Sequence, residues 1–260
     1  MTSQKKIIAF SGKGGVGKTT ALALFLKYLI HQDSLDIIVI DADPDANLGD
    51  VLGKNLRFND TLASKMQEMK EKIQKQKIPA GMPKNQIIEG NVFSSLIEVG
   101  DYDLLEMGRQ EGEGCYCFIN SILKNVIDTL AENYHVTLID SPAGLEHFSR
   151  KTSRDVTDLI IVSDPSKMGI QTMKRILEVT NEVELKFEKI WVLGNRFSDD
   201  LYEILEKSVE KLADKRVELL GFLPNDEQIE KFNFEGKSLL ELPENNQAFQ
   251  KAVEIYRKII

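Results

Sequence analysis

Short apolar runs rich in β-branched residues alternate along this chain with longer segments whose apolar positions recur every three to four residues. "KKIIAFS" ends in a glycine-rich stretch, and Thr19–His31 then has helical spacing. "DIIVID" reads as a second strand and "YDLLEM" (Tyr102–Met107) as a third. Ile119–Glu132 has helical spacing and leads into the strand "HVTLIDS". "DLIIVSD" (Asp158–Asp164) precedes a helix over Ile170–Glu182, and "KIWVLGN" (Lys189–Asn195) precedes one over Leu201–Ala213. "RVELLGFLP" (Arg216–Pro224) is the last strand, followed by a C-terminal helix. Strands alternating with helices predict an α/β fold with a mostly parallel sheet flanked by helices on both faces. The near-continuous apolar strands suit burial on both sides. No internal repeat and no Pro/Gly/Ser linker interrupts the series, so one domain over residues 1–260 is expected.

One segment departs from the rhythm. Asn59–Asn85 is polar, and its centre carries Lys65, Lys70, Lys72, Lys75 and Lys77 with Glu68 and Glu71 between them. A solvated helix accounts for such a charge run, and a docking face for an acidic partner is the alternative.

Composition narrows the classes. The 260 residues are 42% hydrophobic, enough for one sizeable core. The formal charge of −8 argues against non-specific nucleic-acid binding, in which phosphate contacts dominate. No run approaches the roughly 18 apolar residues of a membrane span, and "MTSQKKIIAF" leads into a strand without a cleavage site. Two cysteines cannot build a disulfide framework, which favours a reducing compartment. A cytoplasmic protein with no nucleic-acid partner and no membrane anchorage is expected.

"GKGGVGKT", Gly12–Thr19, lies between the first strand and the first helix and fits G-x-x-x-x-G-K-[ST] in the required context. Gly12, Gly14, Gly15, Val16 and Gly17 would turn backbone N–H groups toward phosphate oxygens, and the helix N-terminus adds partial positive charge. Lys18 is expected on the β- and γ-phosphates, the Thr19 hydroxyl on Mg²⁺, and Thr20 near the α-phosphate. Lys13, which the ordinary motif does not need, resembles the extra lysine of the deviant Walker A loop in MinD-type and nitrogenase-iron-protein-type ATPases. That resemblance implies that Lys13 crosses a dimer interface to the partner's nucleotide.

"DADPDANLGD" places Asp41, Asp43 and Asp45 after the second strand, where such sheets deliver side chains to a ligand. Carboxylates there can meet Mg²⁺ through water or orient an attacking water, and the resemblance points to Asp43 for the latter. Asp140, in "HVTLIDSPAG", would contact Mg²⁺ through water. Pro142, Ala143 and Gly144 then form a turn able to sense the γ-phosphate, with Glu146 and His147 riding on it. The strand end Asn195-Arg196-Phe197-Ser198 lacks the aspartate that accepts guanine's N–H groups, whereas asparagine can bond adenine N6 and N7. ATP is therefore expected, with Asn195 and Arg196 at the nucleotide. Pro224 walls the adenine pocket by resemblance alone.

Cys115 and Cys117, in "GEGCYCFIN", are the two cysteines of the chain. In extended backbone, i and i+2 share a face with Cα atoms roughly 6–7 Å apart. An internal disulfide is then strained, and two buried small hydrophobes are the plain alternative. Two thiolates are too few for a closed metal site, but two copies of Cys-Tyr-Cys at a dimer interface supply four. Such a set suits Zn²⁺ when tetrahedral and Ni²⁺ when square-planar.

Taken in order, "GKGGVGKTT", "DADPDANLG", "LLEMGRQEGEGCYC" and "DSPAGLEH" resemble the CooC family of ATPases, which assist nickel maturation of carbon monoxide dehydrogenase, with relatives serving acetyl-CoA synthase. The likeness runs from Lys5 to about Pro224. It implies a nucleotide-dependent homodimer that binds Ni²⁺, with Zn²⁺ also accepted, through Cys115 and Cys117 of both chains and delivers it to a client nickel enzyme. Lys13, Lys18 and Asp43 would carry hydrolysis. Two other readings stand beside this one. A MinD-like membrane-cycling switch would use the C-terminal stripe Phe249, Val253, Tyr256 and Ile260, although such stripes usually pack on their own sheet. An iron–sulfur electron donor would need well-separated cysteines.

Overall fold

The computed structural model describes residues 5–32, 34–43, 45, 47–75, 90–108, 127, 130–143, 156–182, 187–212 and 214–260. Among them, eight strands form one sheet: β1 (Lys6–Gly12), β2 (Ile37–Asp41), β3 (Leu96–Glu98), β4 (Asp103–Glu106), β5 (Val136–Asp140), β6 (Asp158–Ser163), β7 (Lys189–Asn195) and β8 (Val217–Leu223). Their order is β3-β4-β2-β5-β1-β6-β7-β8, parallel throughout except for β3, which runs antiparallel to β4 at one edge. β1, β2, β5, β6 and β7 are buried almost end to end, which is why their sequences read as unbroken apolar runs.

Helices cover both faces. On one lie α1 (Lys18–Ile30), the short α2 (Leu48–Val51) and, from the C-terminal region, α6 (Glu227–Glu235) and α7 (Gln247–Tyr256). On the other lie α3 (Leu62–Gln74), α4 (Lys167–Glu182) and α5 (Asp199–Glu210). The alternating strand and helix pattern thus gives the expected architecture. The register aligns the strand ends that matter: Asp41 sits opposite both Asp140 on β5 and Glu106 on β4.

Two features depart from the sequence expectation. β3 is an eighth strand that hydrophobic patterning passes over, because it has three half-buried or exposed residues and no apolar run. The single expected C-terminal helix is two. Asp226 caps α6 by accepting the Gln228 and Ile229 N–H groups, and α6 ends at Gly236 in left-handed backbone with φ 64°. Asn246 then starts α7 by accepting the Phe249 N–H at 2.9 Å.

Of the C-terminal apolar stripe, Phe249 and Tyr256 belong to the core, Val253 is half-buried against it and Ile260 is exposed. Phe249 and Tyr256 are buried with Ala252 and Ile255 against α1 and β8. The Tyr256 ring stacks on Phe25 at 4.4 Å and its hydroxyl donates to the Ala21 carbonyl at 2.8 Å. The charged segment is helical over Leu62–Gln74, where Leu62, Ala63 and Met66 face inward and Lys72 and Lys75 pair with Glu68 and Glu71 one turn earlier, while 76–85, with Lys77, lies outside the described residues. Among the described residues no helix is long and apolar enough to cross a membrane. The expected helix Ile119–Glu132 falls mostly outside the described residues, apart from buried helical positions such as Ile127 and Leu130. Cys115, Cys117, Gly144, Glu146 and His147 lie outside them altogether.

Candidate functional site

At the tip of β1 the backbone passes hard against β6. A Cβ on Gly12 would lie 2.3 Å from the Val162 carbonyl oxygen. Lys13–Gly17 then turn the chain into α1, and Gly17 stands at that helix's N-cap with φ 89°. A Cβ on Gly17 would meet the Asn195 amide nitrogen at 2.2 Å, so both space and backbone sign require glycine there. Gly17 offers no side chain to the first-turn N–H groups, and no acid occupies that turn. Those donors and the positive end of the helix suit an anion.

Two side chains from the end of β7 hold the loop from behind. Asn195 is buried, and its Nδ2 donates to the Val16 carbonyl at 2.7 Å. Arg196, itself in left-handed backbone with φ 61°, donates to the Gly15 carbonyl. A carbonyl turned toward a phosphate would repel it, so tying two carbonyls to β7 favours the anion-binding form of the loop. The Val16 side chain is fully buried and anchors the loop in the core.

The loop opens onto a cleft of about 410 Å³ at the C-terminal edge of the sheet, the usual ligand position in such folds. Gly14, Gly15, Gly17, Lys18, Thr19 and Thr20 line one wall. Asp43, Asp45 and Asn47 line a second, and Asn195, Arg196 and Pro224 a third. Gly12 and Val16 lie beneath the loop, and Lys13 is half-buried within it, its carbonyl accepting the Val16 N–H at 3.4 Å. The glycine loop, Asp43 and the residues after β7 and β8 are therefore brought together from four separate stretches of sequence. Asn195, expected on the base, has one amide N–H on the loop backbone.

The carboxylates behind the cleft are buried. Asp140 Oδ2 accepts the Thr19 hydroxyl at 2.6 Å, and Oδ1 has no hydrogen-bond partner among the described residues. Burial pushes the Asp140 carboxyl upward, opposed by the Thr19 hydroxyl and by the charge of Lys18. Asp41 accepts the N–H of Asp43 through Oδ1 and of Leu48 through Oδ2, both at 3.0 Å. Burial, and then the charge of Asp140, raise Asp41 well above the ordinary carboxylate range. Asp41 thus pins both ends of the loop that carries Asp43 and Asn47. Among the described residues no group of three or more His, Cys, Asp or Glu is placed to hold a metal by itself. Thr19 and the orphaned Asp140 Oδ1 do fit a cation held jointly with phosphate oxygens.

Sequence reasoning missed several contributors. Ile229, Glu230 and Asn233 of α6 line the cleft, and they were hidden inside a helix read as one with α7. The D-E-Q-I stretch, an N-cap residue ahead of a helical apolar position, was the available signal. Asp226 also lines the cleft, but its carboxylate is engaged by Gln228, Ile229 and the Asn246 amide. Glu106, at the tip of β4, is buried beside Asp41. An acid interrupting the apolar run Leu104–Met107 was its signal.

Comparisons with known proteins agree with this geometry. The chain is 42% identical over 254 residues to an uncharacterized ATP-binding protein of Methanocaldococcus jannaschii, covering 98% of both. It is 28% identical over 244 residues to the carbon monoxide dehydrogenase accessory protein CooC of Rhodospirillum rubrum, covering 90% of this chain and 89% of that one. A ParA family ATPase from Chlorobium tepidum shares the fold with a TM-score of 0.70 at 19% identity, over 96% of this chain and 98% of that one. The model of the CobQ/CobB/MinD/ParA nucleotide binding domain matches residues 7–239. The chain is a P-loop ATPase of the CobQ/CobB/MinD/ParA nucleotide binding domain family.

Proposed function

We propose that this protein is an ATP-dependent metallochaperone. It forms a nucleotide-dependent homodimer, captures Ni²⁺ between Cys115 and Cys117 of both chains, and delivers it to a nickel enzyme such as carbon monoxide dehydrogenase or acetyl-CoA synthase. The observation that carries this reading is the union, in one chain, of a phosphate loop bearing a second lysine, Lys13, with the two-thiolate half-site Cys115-Tyr116-Cys117. The similarity to CooC over nine-tenths of the chain supports it.

Each residue has a role in this scheme. The N–H groups of Gly14–Thr19 and the Lys18 ammonium bind the phosphates. Bound Mg²⁺ supplies charge neutralisation at the β- and γ-phosphates, and the Thr19 hydroxyl with Asp140 Oδ1 would hold it. Asp43, fixed by Asp41, orients the attacking water. Lys13 reaches across the dimer to the partner's nucleotide. Adenine is favoured over guanine because the strand end Asn195–Ser198 offers no carboxylate to guanine's N–H groups. ATP can favour the closed dimer only through stronger binding to it, and metal held by four thiolates shares that preference. Hydrolysis loosens the segment Asp140–His147 and frees the metal for the client.

A membrane-cycling switch would need the C-terminal apolar face for lipid, but Phe249 and Tyr256 already pack in the core. The decisive experiment replaces Cys115 and Cys117 with alanine. Stoichiometric Ni²⁺ binding, measured by equilibrium dialysis with metal analysis, is lost while ATP binding persists. Unchanged Ni²⁺ affinity in the double variant would refute the metallochaperone reading.

A further inference from the structure

Glu106 ends β4 with 5% of its surface exposed, and its Oε2 has no hydrogen-bond partner among the described residues. The chain around it is tightly tied. Met107 donates its N–H to the Asp41 carbonyl, and Ala63 donates to the Met107 carbonyl, both at 2.9 Å. Gly108, with φ 73°, lies directly against Thr61. The tip of β4 is therefore the floor on which the segment from Asp41 to Ala63 rests, and that segment contains Asp43, α2 and a 3₁₀ turn over Phe58–Asp60. Gly49 of α2 brings bare backbone over the carboxyl: a Cβ there would lie 3.3 Å from Glu106 Oε2 and 3.0 Å from Leu56 Cδ1.

Among the described residues, Asp50 from α2 and Asp60 from the 3₁₀ turn direct negative charge toward Glu106, and Asp41, itself raised by burial, lies beside it on β2. A carboxylate in that position is desolvated and repelled, whereas a neutral carboxyl is tolerated.

We propose that Glu106 is a positioning residue for the loop that carries Asp43, acting as a proton-dependent latch: uncharged, it lets α2 pack onto the tip of β4, and ionised, it drives that loop away. Burial first, then Asp50 and Asp60, push its carboxyl up from the ordinary 4.5 to about 7 in the packed form. The packed form therefore holds the proton more tightly than the open form. Packing is favoured fully below the ordinary glutamate value and is lost as pH rises toward about 7. Across that window the ratio of packed to open loop falls roughly tenfold per pH unit, and above it the ratio is flat. The effect on hydrolysis rests on the role proposed for Asp43, but the latch itself does not.

Hydrogen exchange of the Leu48–Thr61 amides in the full-length protein tests the latch, after correction for intrinsic chemical exchange. In the wild type, opening should rise roughly tenfold per pH unit between pH 5 and pH 7 and level off above. Glu106→Gln, neutral and nearly isosteric, should stay protected at every pH, at or below the wild-type level at pH 5. A wild type with no such slope, or a Glu106→Gln variant that keeps it, overturns the proposal. The exposed Asp50→Asn gives a second test should Glu106→Gln fail to fold. Removing one repelling charge should move the upper end of the transition to lower pH, and an unmoved transition counts against the latch. ATP turnover measured alongside separates the two ideas. Exchange that follows the latch while kcat ignores it supports the latch and removes Asp43 from the hydrolysis step.

Discussion

The Asn195 amide offers a sharp test of how the phosphate loop is held. Asn195 is buried at the end of β7, and its Nδ2 lies 2.7 Å from the Val16 carbonyl oxygen. Asn195→Ala removes that bond and leaves a buried carbonyl unpaired, a cost of about 1–3 kcal/mol. A central value of about 2 kcal/mol corresponds to roughly 30-fold weaker phosphate binding, if the loop must be ordered to bind. The damage is local, so the melting temperature should fall by no more than roughly 4–8 °C. Calorimetric titration with ATP, GTP and inorganic tripolyphosphate separates the two roles open to this side chain. A loop staple weakens all three ligands alike. A contact to adenine would weaken ATP while leaving tripolyphosphate untouched, and that result would refute the staple.

Other perturbations probe neighbouring links. Thr19→Ala removes the 2.6 Å bond to Asp140 and should cost about tenfold or more in ATP affinity with Mg²⁺ present, but little in EDTA, as nucleotide titrations with and without the metal will show. Asp41→Ala unpins the N–H groups of Asp43 and Leu48, so kcat should drop by roughly 10- to 100-fold at nearly unchanged ATP affinity, read as phosphate release. Tyr256→Phe deletes the bond to the Ala21 carbonyl inside the core and should lower the melting temperature by about 2–6 °C without altering nucleotide binding, as scanning calorimetry will show.

What the sequence determined by itself is local and covalent in origin. Glycines at fixed intervals between an apolar strand and a helix announce the phosphate loop, because only backbone without side chains can take those turns so close to an anion. Period-two and period-3.6 patterning likewise announces most strands and helices, because burial of one face is what stabilises them. β3 and the α6–α7 division escaped, since three half-exposed residues and a left-handed Gly236 carry almost no periodic signal.

Tertiary structure alone decided which distant residues meet. Parallel pairing in register sets Glu106, Asp41 and Asp140 side by side, turning three separated acids into one row whose members cannot all be charged. The same sheet order delivers β7 beside β1's loop, so that Asn195 and Arg196 clasp Val16 and Gly15 across some 180 positions of sequence. Sequence spacing encodes the chemistry available at each strand end. Strand order and register, set by the packing of the whole core, determine which of those ends become neighbours.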